Sequence, residues 1–294
     1  MTALQWNIRA ATAVDVPAIT TMYQANGLPH AQGDPARAAW QFASVRAMGG
    51  KVLVAVEGGA VVGHLELLLC QEAAPLGRYG YVEALEVRQD RRRRGIGRAL
   101  IDAASKITVS AGGTRLETVA DDARAAAFYA ATDFQAGMHY LDMDLAVPAE
   151  DLSGAAARGP LVQPGARPWI VLRHIAGRQY PASYCWSRAH LASHFGLPEA
   201  EGTGAWRLPD SGAVVLADPW LVHLFLPPGI PPDSSDAWPL WQAMFALRAD
   251  RREGCVRTVV AGELAARLGL PERWPGSTTD EFTLLVRPLV STCP

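Results

Sequence analysis

Apolar positions along the chain change period several times, and each change marks an element. Asn7 to Arg9 begins a short strand. Thr12-x-x-Asp15 then leads into VDVPAITTMYQANG, an apolar pattern at helical spacing in which Asp15 suits the N-cap, Pro17 the first turn and Gly27 the stop. A second helix is expected from Pro35 through DPARAAWQFASVRAMGG. The period then shortens: KVLVAVEGGAVVGHLELLLC holds two β-rich runs around Gly58-Gly59, the spacing of an antiparallel hairpin, and YGYVEALEV is a third strand. GIGRALIDAASKITVSAGG returns to helical spacing, with Ile96, Leu100, Ile101 and Ala104 on one face. RLETVA predicts a strand, DDARAAAFYAAT a short helix capped by Asp121 or Asp122, and MHYLDMDLAV another strand. These elements make one α/β unit over residues 1–147.

Residues 148–168, PAEDLSGAAARGPLVQPGARP, are small, polar and proline-rich without a sustained period, as a linker would be. A second α/β domain is expected over 169–294. WIVLRHI, GAVVLA and WLVHLFL read as strands, SYCWSRAHLASHFGL as a helix with Ser183 as its cap, and DAWPLWQAMFALRADRR as a longer helix. VRTVVA, GELAARLGL and EFTLLVRPL follow as strand, short helix and strand. The two halves end in the same order of elements. This leaves open either a weak internal repeat or an unrelated second domain.

Composition narrows the function classes. The 294 residues exceed one ordinary domain, and 49% hydrophobic with 19% charged residues describes a chain that folds. A net charge of -2 argues against nucleic acid as a partner. The N-terminal MTALQWNIRAATAVDV lacks a basic segment followed by an apolar run, and no later stretch approaches the ~20 apolar residues needed to span a bilayer; a cytoplasmic protein without membrane contact is expected. Cys70, Cys185, Cys255 and Cys293 form no C-x-x-C pair or His-Cys spacing, so no metal is expected.

The candidate chemistry lies in QDRRRRGIGRAL, residues 89–100. A loop passing from a strand into a helix through Gly95 and Gly97 aims backbone N–H groups at one point, and helix dipole and arginines add positive potential: an anion site suited to a pyrophosphate. A dinucleotide fingerprint fails, because Leu100 stands at its third glycine and the arginine loop is too long; a P-loop fails for want of Gly-Lys-Ser/Thr. The pattern Arg92-Arg93-Arg94-Gly95-Ile96-Gly97, preceded by Glu83-Ala84-Leu85-Glu86-Val87, closely resembles the acetyl-CoA signature of the GNAT superfamily of N-acetyltransferases. Asp122-Ala123-Arg124-Ala125-Ala126-Ala127-Phe128-Tyr129 is similar to a later segment of that family, with Asp where Asn is usual; Asp133-Phe134 likewise departs from the usual Gly-Phe.

The resemblance implies a mixed, mainly antiparallel GNAT-like sheet flanked by helices. It also implies acetyl-CoA as co-substrate and direct transfer of acetyl to a primary amine, on a small molecule or a peptide, in a ternary complex. Glu83 would be the base, with Glu86 the other candidate. Strand alternation sets these two on opposite faces unless a bulge intervenes. Tyr129 would protonate the departing thiolate. Leu85, Glu86 and Val87 would contact the pantetheine arm, Arg92, Arg93, Arg94, Gly95, Ile96, Gly97 and Arg98 the phosphates, and Asp122 and Phe128 the thiol end. Tyr23, His64, Glu66 and His139 are substrate-side candidates with structural roles as the simpler reading. In the second half, PPGIPPDSSDAWP stands where the signature loop would fall, and prolines lack the N–H donors of such a loop. That half is expected to be silent, serving as a substrate cover, a homodimer contact or a support. The competing class is a CoA-binding regulatory protein without turnover.

Overall fold

A computed structural model describes residues 6–25, 35–163, 165–192, 194–196, 201–247 and 255–289. The expected stop at Gly27 lies outside them. Contacts divide the chain into two units: Met1–Cys70, Arg78–Ala136 and Leu285–Pro294 form unit 1, and Gln71–Gly77 with Gly137–Leu284 form unit 2.

Unit 1 holds β1 (Asn7–Ala10), α1 (Val16–Ala25), α2 (Pro35–Ala47), β2 (Lys51–Glu57), most of β3 (Ala60–Glu72), β4 (Gly77–Val87), α3 (Ile96–Ser110), β5 (Arg115–Val119) and α4 (Ala123–Ala130). Its strands run β1-β2-β3-β4-β5, followed by the last residues of the chain's final strand. The pleat explains the layering. Leu53 and Ala55 face α3 with Ile96, Leu100 and Ile101, while Val54 faces α1 and α2 with Ile19, Tyr23 and Phe42. Asp15 anchors the turn into α1 by accepting from both outer nitrogens of Arg9 at 2.8 Å and from the Thr12 amide at 2.7 Å. These contacts hold its carboxyl well below the usual range against the opposing cost of burial.

Unit 2 contains β6 (Gln135–Ala146), β7 (Arg173–Ala176), α5 (Ala182–Ala192), β8 (Gly204–Arg207), β9 (Val214–Ala217), β10 (Val222–Leu226), α6 (Trp238–Phe245), β11 (Cys255–Ala261), α7 (Gly262–Leu268) and β12 (Thr278–Pro288), the last ending in unit 1. Its order is β12-β6-β11-β7-β10-β9-β8. One core, built on Trp241, Phe245 and Trp274, lies on one face; another, on Trp169, Trp186 and Phe225, includes α5.

Several sequence expectations shift. WIVLRHI is not one strand: Pro168–Ile170 forms a 3-10 turn, as its proline favours, and only Arg173–Ala176 pairs. Ser183 lies inside α5 with its hydroxyl buried and unpartnered rather than capping it. The short strand β8 carries no period of its own. The helix expected to run to Arg252 ends at Phe245, and residues 248–254 lie outside the described ones. The first part of the expected linker is packed rather than loose. Asp151 accepts hydrogen bonds from Gln242 and Trp274, and Leu152, Ala155 and Ala156 cover the α6 core. The division of the chain therefore differs from the linear one at 147 and 169, because β6 pairs with β11 while Leu285–Pro294 return to unit 1.

Candidate active site

The site follows from how β4 leaves its neighbour. β4 and β5 run parallel but pair only at Gly80 with Leu116 and Tyr81 with Glu117. A side chain replaces the next rung: Thr118 Oγ1 donates to the Val82 carbonyl at 2.9 Å. Past that point the ladder ends, and β4 continues through Glu83–Val87, half-buried throughout.

β4 is also bulged there. Val82, Leu85 and Val87 pack with the α3 core, whereas Ala84 packs with α1 and α2, and Glu83 bonds Gln41 on α2. Glu83 and Ala84 thus share a face, which an extra residue in the strand requires. Alternation then returns Glu86 to the side of Glu83. The expectation that the two carboxylates point apart is corrected by this bulge.

Glu83 belongs to a hydrogen-bonded group. Gln41 Nε2 donates to Glu83 Oε1 and to Glu66 Oε2, each at 3.0 Å. Glu66 Oε1 accepts from the Tyr23 hydroxyl at 2.8 Å and lies 3.2 Å from His64 Nε2. Burial opposes the charge on Glu66, yet His64, Tyr23 and Gln41 together hold its carboxyl below the usual value. Tyr23, His64 and Glu66 are therefore brought to Glu83, while His139 stands apart beside Glu281 in unit 2. Gln41 was missed in the sequence, where a glutamine in an alanine-rich helix carries no pattern.

Tyr129 on α4 is buried between Phe128 and Phe134, both edge-on. Burial first, and the charges of Asp121, Glu86 and Glu83 besides, push its phenol up to about 12 against the effect of Thr118. Asp122 caps α4, accepting from the Ala125 amide at 2.6 Å.

At the other end, the loop after β4 turns through two left-handed residues, Arg93 at φ 61° and Gly95 at φ 85°. Gly95 is the N-cap of α3 and supplies no side-chain cap, so the first helical amides face the loop. Gly97 lets helices close: a Cβ there would lie 3.1 Å from the Phe128 ring. The arginines divide unevenly. Arg91 is tied to Glu57 and Asp90, Arg92 donates to the Val87 carbonyl at 3.0 Å, and Arg98 donates to the Ala131 carbonyl. Arg93 and Arg94 are exposed.

The opened edge of β4 thus has a glycine-built loop at one end and a carboxylate and a phenol at the other. Residues 17–134 match the Acetyltransferase (GNAT) family model, and this segment is a GNAT domain. Almost the whole chain is similar in fold to two solved structures. One, from Pyrococcus horikoshii and assigned as an acetyltransferase, is 12% identical with a TM-score of 0.56, over 98% of this chain and 91% of that one. The other, a GCN5-related N-acetyltransferase from Kribbella flavida, is 15% identical with a TM-score of 0.58, over 97% and 72%. A phosphinothricin acetyltransferase of the GNAT superfamily from Sinorhizobium meliloti, solved with AcCoA, matches 46% of this chain and 78% of its own at 20% identity and a TM-score of 0.40. No curated protein matches the sequence. Among the described residues no helix is long and apolar enough to cross a membrane.

Proposed function

We propose that unit 1 transfers acetyl from acetyl-CoA directly to a primary amine. The observation that carries this reading is the parting of β4 from β5 after Tyr81 and Glu117, with Glu83 and Tyr129 beside the gap. The donor is a thioester that supplies an activated acyl group. The cradle of Arg93, Gly95 and the amides at the start of α3 suits its pyrophosphate, and the main chain of Leu85–Val87 suits its pantetheine arm.

An amine must shed a proton to attack, and Glu83, held by Gln41, accepts it directly or through water. Tyr129 stays protonated at neutral pH and donates to the leaving sulfur. The two roles are coupled: the charge of Glu83 is one of those raising the Tyr129 phenol, so a proton taken by Glu83 makes Tyr129 a stronger acid. No acyl-enzyme is required.

Unit 2 is the silent half. It repeats one detail of unit 1, for Thr258 Oγ1 donates to the Val222 carbonyl at 2.9 Å across the same sequence separation of 36 as Thr118 and Val82. Here β7 lies between β10 and β11, where unit 1 has its gap. A filled gap and a proline-rich loop argue against the same cofactor there.

The test is thiol release from acetyl-CoA across a panel of amines. Turnover slowed by Glu83→Gln and Tyr129→Phe, with acetyl-CoA binding retained, is the expected result. Tight binding without turnover on any amine would instead mark a CoA-binding regulator.

A further inference from the structure

Unit 2 contains a second cluster of reactive side chains unconnected with acetyl transfer. Cys185 on α5, Asp218 in the turn after β9 and His223 on β10 are each fully buried. Their ligand atoms all lie within 4.8 Å of one another. Neighbours fix Asp218 and His223. Asp218 Oδ1 accepts from the amides of Trp220 and Leu221, both at 2.8 Å, which turns Oδ2 toward His223 Nε2 at 3.4 Å. Gly177 leaves space for the imidazole, since a Cβ there would lie 2.1 Å from His223 Nδ1.

The histidines cannot satisfy themselves. His174 Nε2 and His223 Nδ1 are 3.2 Å apart, so one proton serves both nitrogens. Whichever ring carries it, His223 Nε2 is left with the Asp218 carboxylate at 3.4 Å, a long contact, and His174 Nδ1 is buried without a hydrogen-bond partner. A cation resolves the first of these. With His223 Nδ1–H donating to His174, Nε2 presents a lone pair toward the Cys185 and Asp218 donors, the arrangement by which an outer residue sets a ligating histidine's tautomer.

We propose that unit 2 binds one divalent cation of the zinc class through Cys185, Asp218 and His223, with His174 as a positioning residue. A thiolate, an imidazole and a carboxylate select zinc or cobalt over magnesium or calcium. Three protein donors leave a fourth position to a non-protein ligand. Binding exchanges the Cys185 thiol proton for a sulfur–metal bond, and the proton leaves to solvent. Burial, and the charge of Asp218 besides, push that thiol up in the absence of metal, against the effect of Arg188. Arg188, 4.0 Å from Asp218 Oδ2, is the one cation in contact with the cluster among the described residues. Its guanidinium lies over the faces of Trp220 and Tyr180, which take up its charge, while the Asp218 and Cys185 anions balance the two charges of the ion. The linear spacing hid this set: its members come from a helix, a turn and a strand.

The experiment titrates Co2+ into the chelator-stripped full-length protein and follows the thiolate-to-cobalt absorption band. One equivalent per chain is expected, with thermal unfolding moved upward and zinc displacing the band. Cys185→Ser, near-isosteric, should abolish the band and weaken binding at least about tenfold, whereas Cys70→Ser and Cys255→Ser should keep it. His174→Gln should retain the band while weakening affinity about 10- to 100-fold. Circular dichroism and acetyl-CoA binding report separately that each variant is folded. A folded wild-type chain that gives no thiolate band, or a band that survives Cys185→Ser, overturns the proposal.

Discussion

Gly95→Ala tests the anion cradle at its most sensitive atom. The residue sits at φ 85° and ψ 0° with open space around it; the nearest atom to an added Cβ is a Trp6 ring carbon at 3.9 Å. Alanine therefore meets no steric obstacle, and its cost is conformational, about 1–2 kcal/mol for an L-residue in the left-handed region. If acetyl-CoA requires that conformation, binding bears the strain, and Kd rises about 5- to 30-fold. Asparagine is larger but tolerates left-handed backbone, so Gly95→Asn should lose less than Gly95→Ala. Arg91→Ala should change affinity by less than about threefold, because the arginine is engaged with Glu57 and Asp90. Calorimetric titration of the full chain with acetyl-CoA, beside thermal unfolding of each variant, gives the ranking. Arg91→Ala weakening as much as Gly95→Ala, or Gly95→Asn weakening more, would refute a backbone cradle.

Three further outcomes are expected. Tyr129→Phe should lower kcat by about 100-fold with acetyl-CoA affinity unchanged, and the wild-type rate should show no alkaline loss from this phenol until pH approaches about 12; equal loss of binding would make it a packing residue. Gln41→Leu removes the donor shared by Glu83 and Glu66, costing about 1–3 kcal/mol of stability and lowering kcat more than it changes KM, as urea unfolding and steady-state rates would show. Asp15→Asn should cost about 1–2 kcal/mol at pH 7, with wild type and variant converging below pH 4. The sign follows from the depressed carboxyl: its stabilisation is present above the unfolded value and fades as pH falls toward the folded one. A gap that persists in acid would mean that shape rather than charge sets the loss.

What the sequence disclosed, and what it withheld, follow from the range of the forces involved. The hairpin at Gly58-Gly59, the buried face of α3 and the glycine loop are local, written in period and turn chemistry, and they stand where expected. The bulge at Glu83–Ala84 is not local. It depends on which core each side chain enters, so alternation along VEALEV misplaced Glu86 relative to Glu83. Strand partners were equally hidden: nothing within MHYLDMDLAV shows that it pairs with residues 255–261 rather than beside β5. Gln41 and the Cys185, Asp218 and His223 set were invisible for the same reason, being assembled by tertiary contact from residues that are ordinary in sequence.

The return of Leu285–Pro294 to unit 1 has a consequence for biosynthesis. Leu289 donates to the Thr114 carbonyl at 2.8 Å, and Leu285 packs on the α3 core. When α4 leaves the ribosome, β5 still lacks this neighbour, and about 150 residues remain to be made. At about 5–20 residues per second, the nascent domain waits roughly 8 to 30 seconds with a bare sheet edge, a period in which a chaperone or a second nascent chain can occupy it. The GNAT segment, the part that holds the proposed chemistry, is thus synthesised before most of unit 2 but closed only after it.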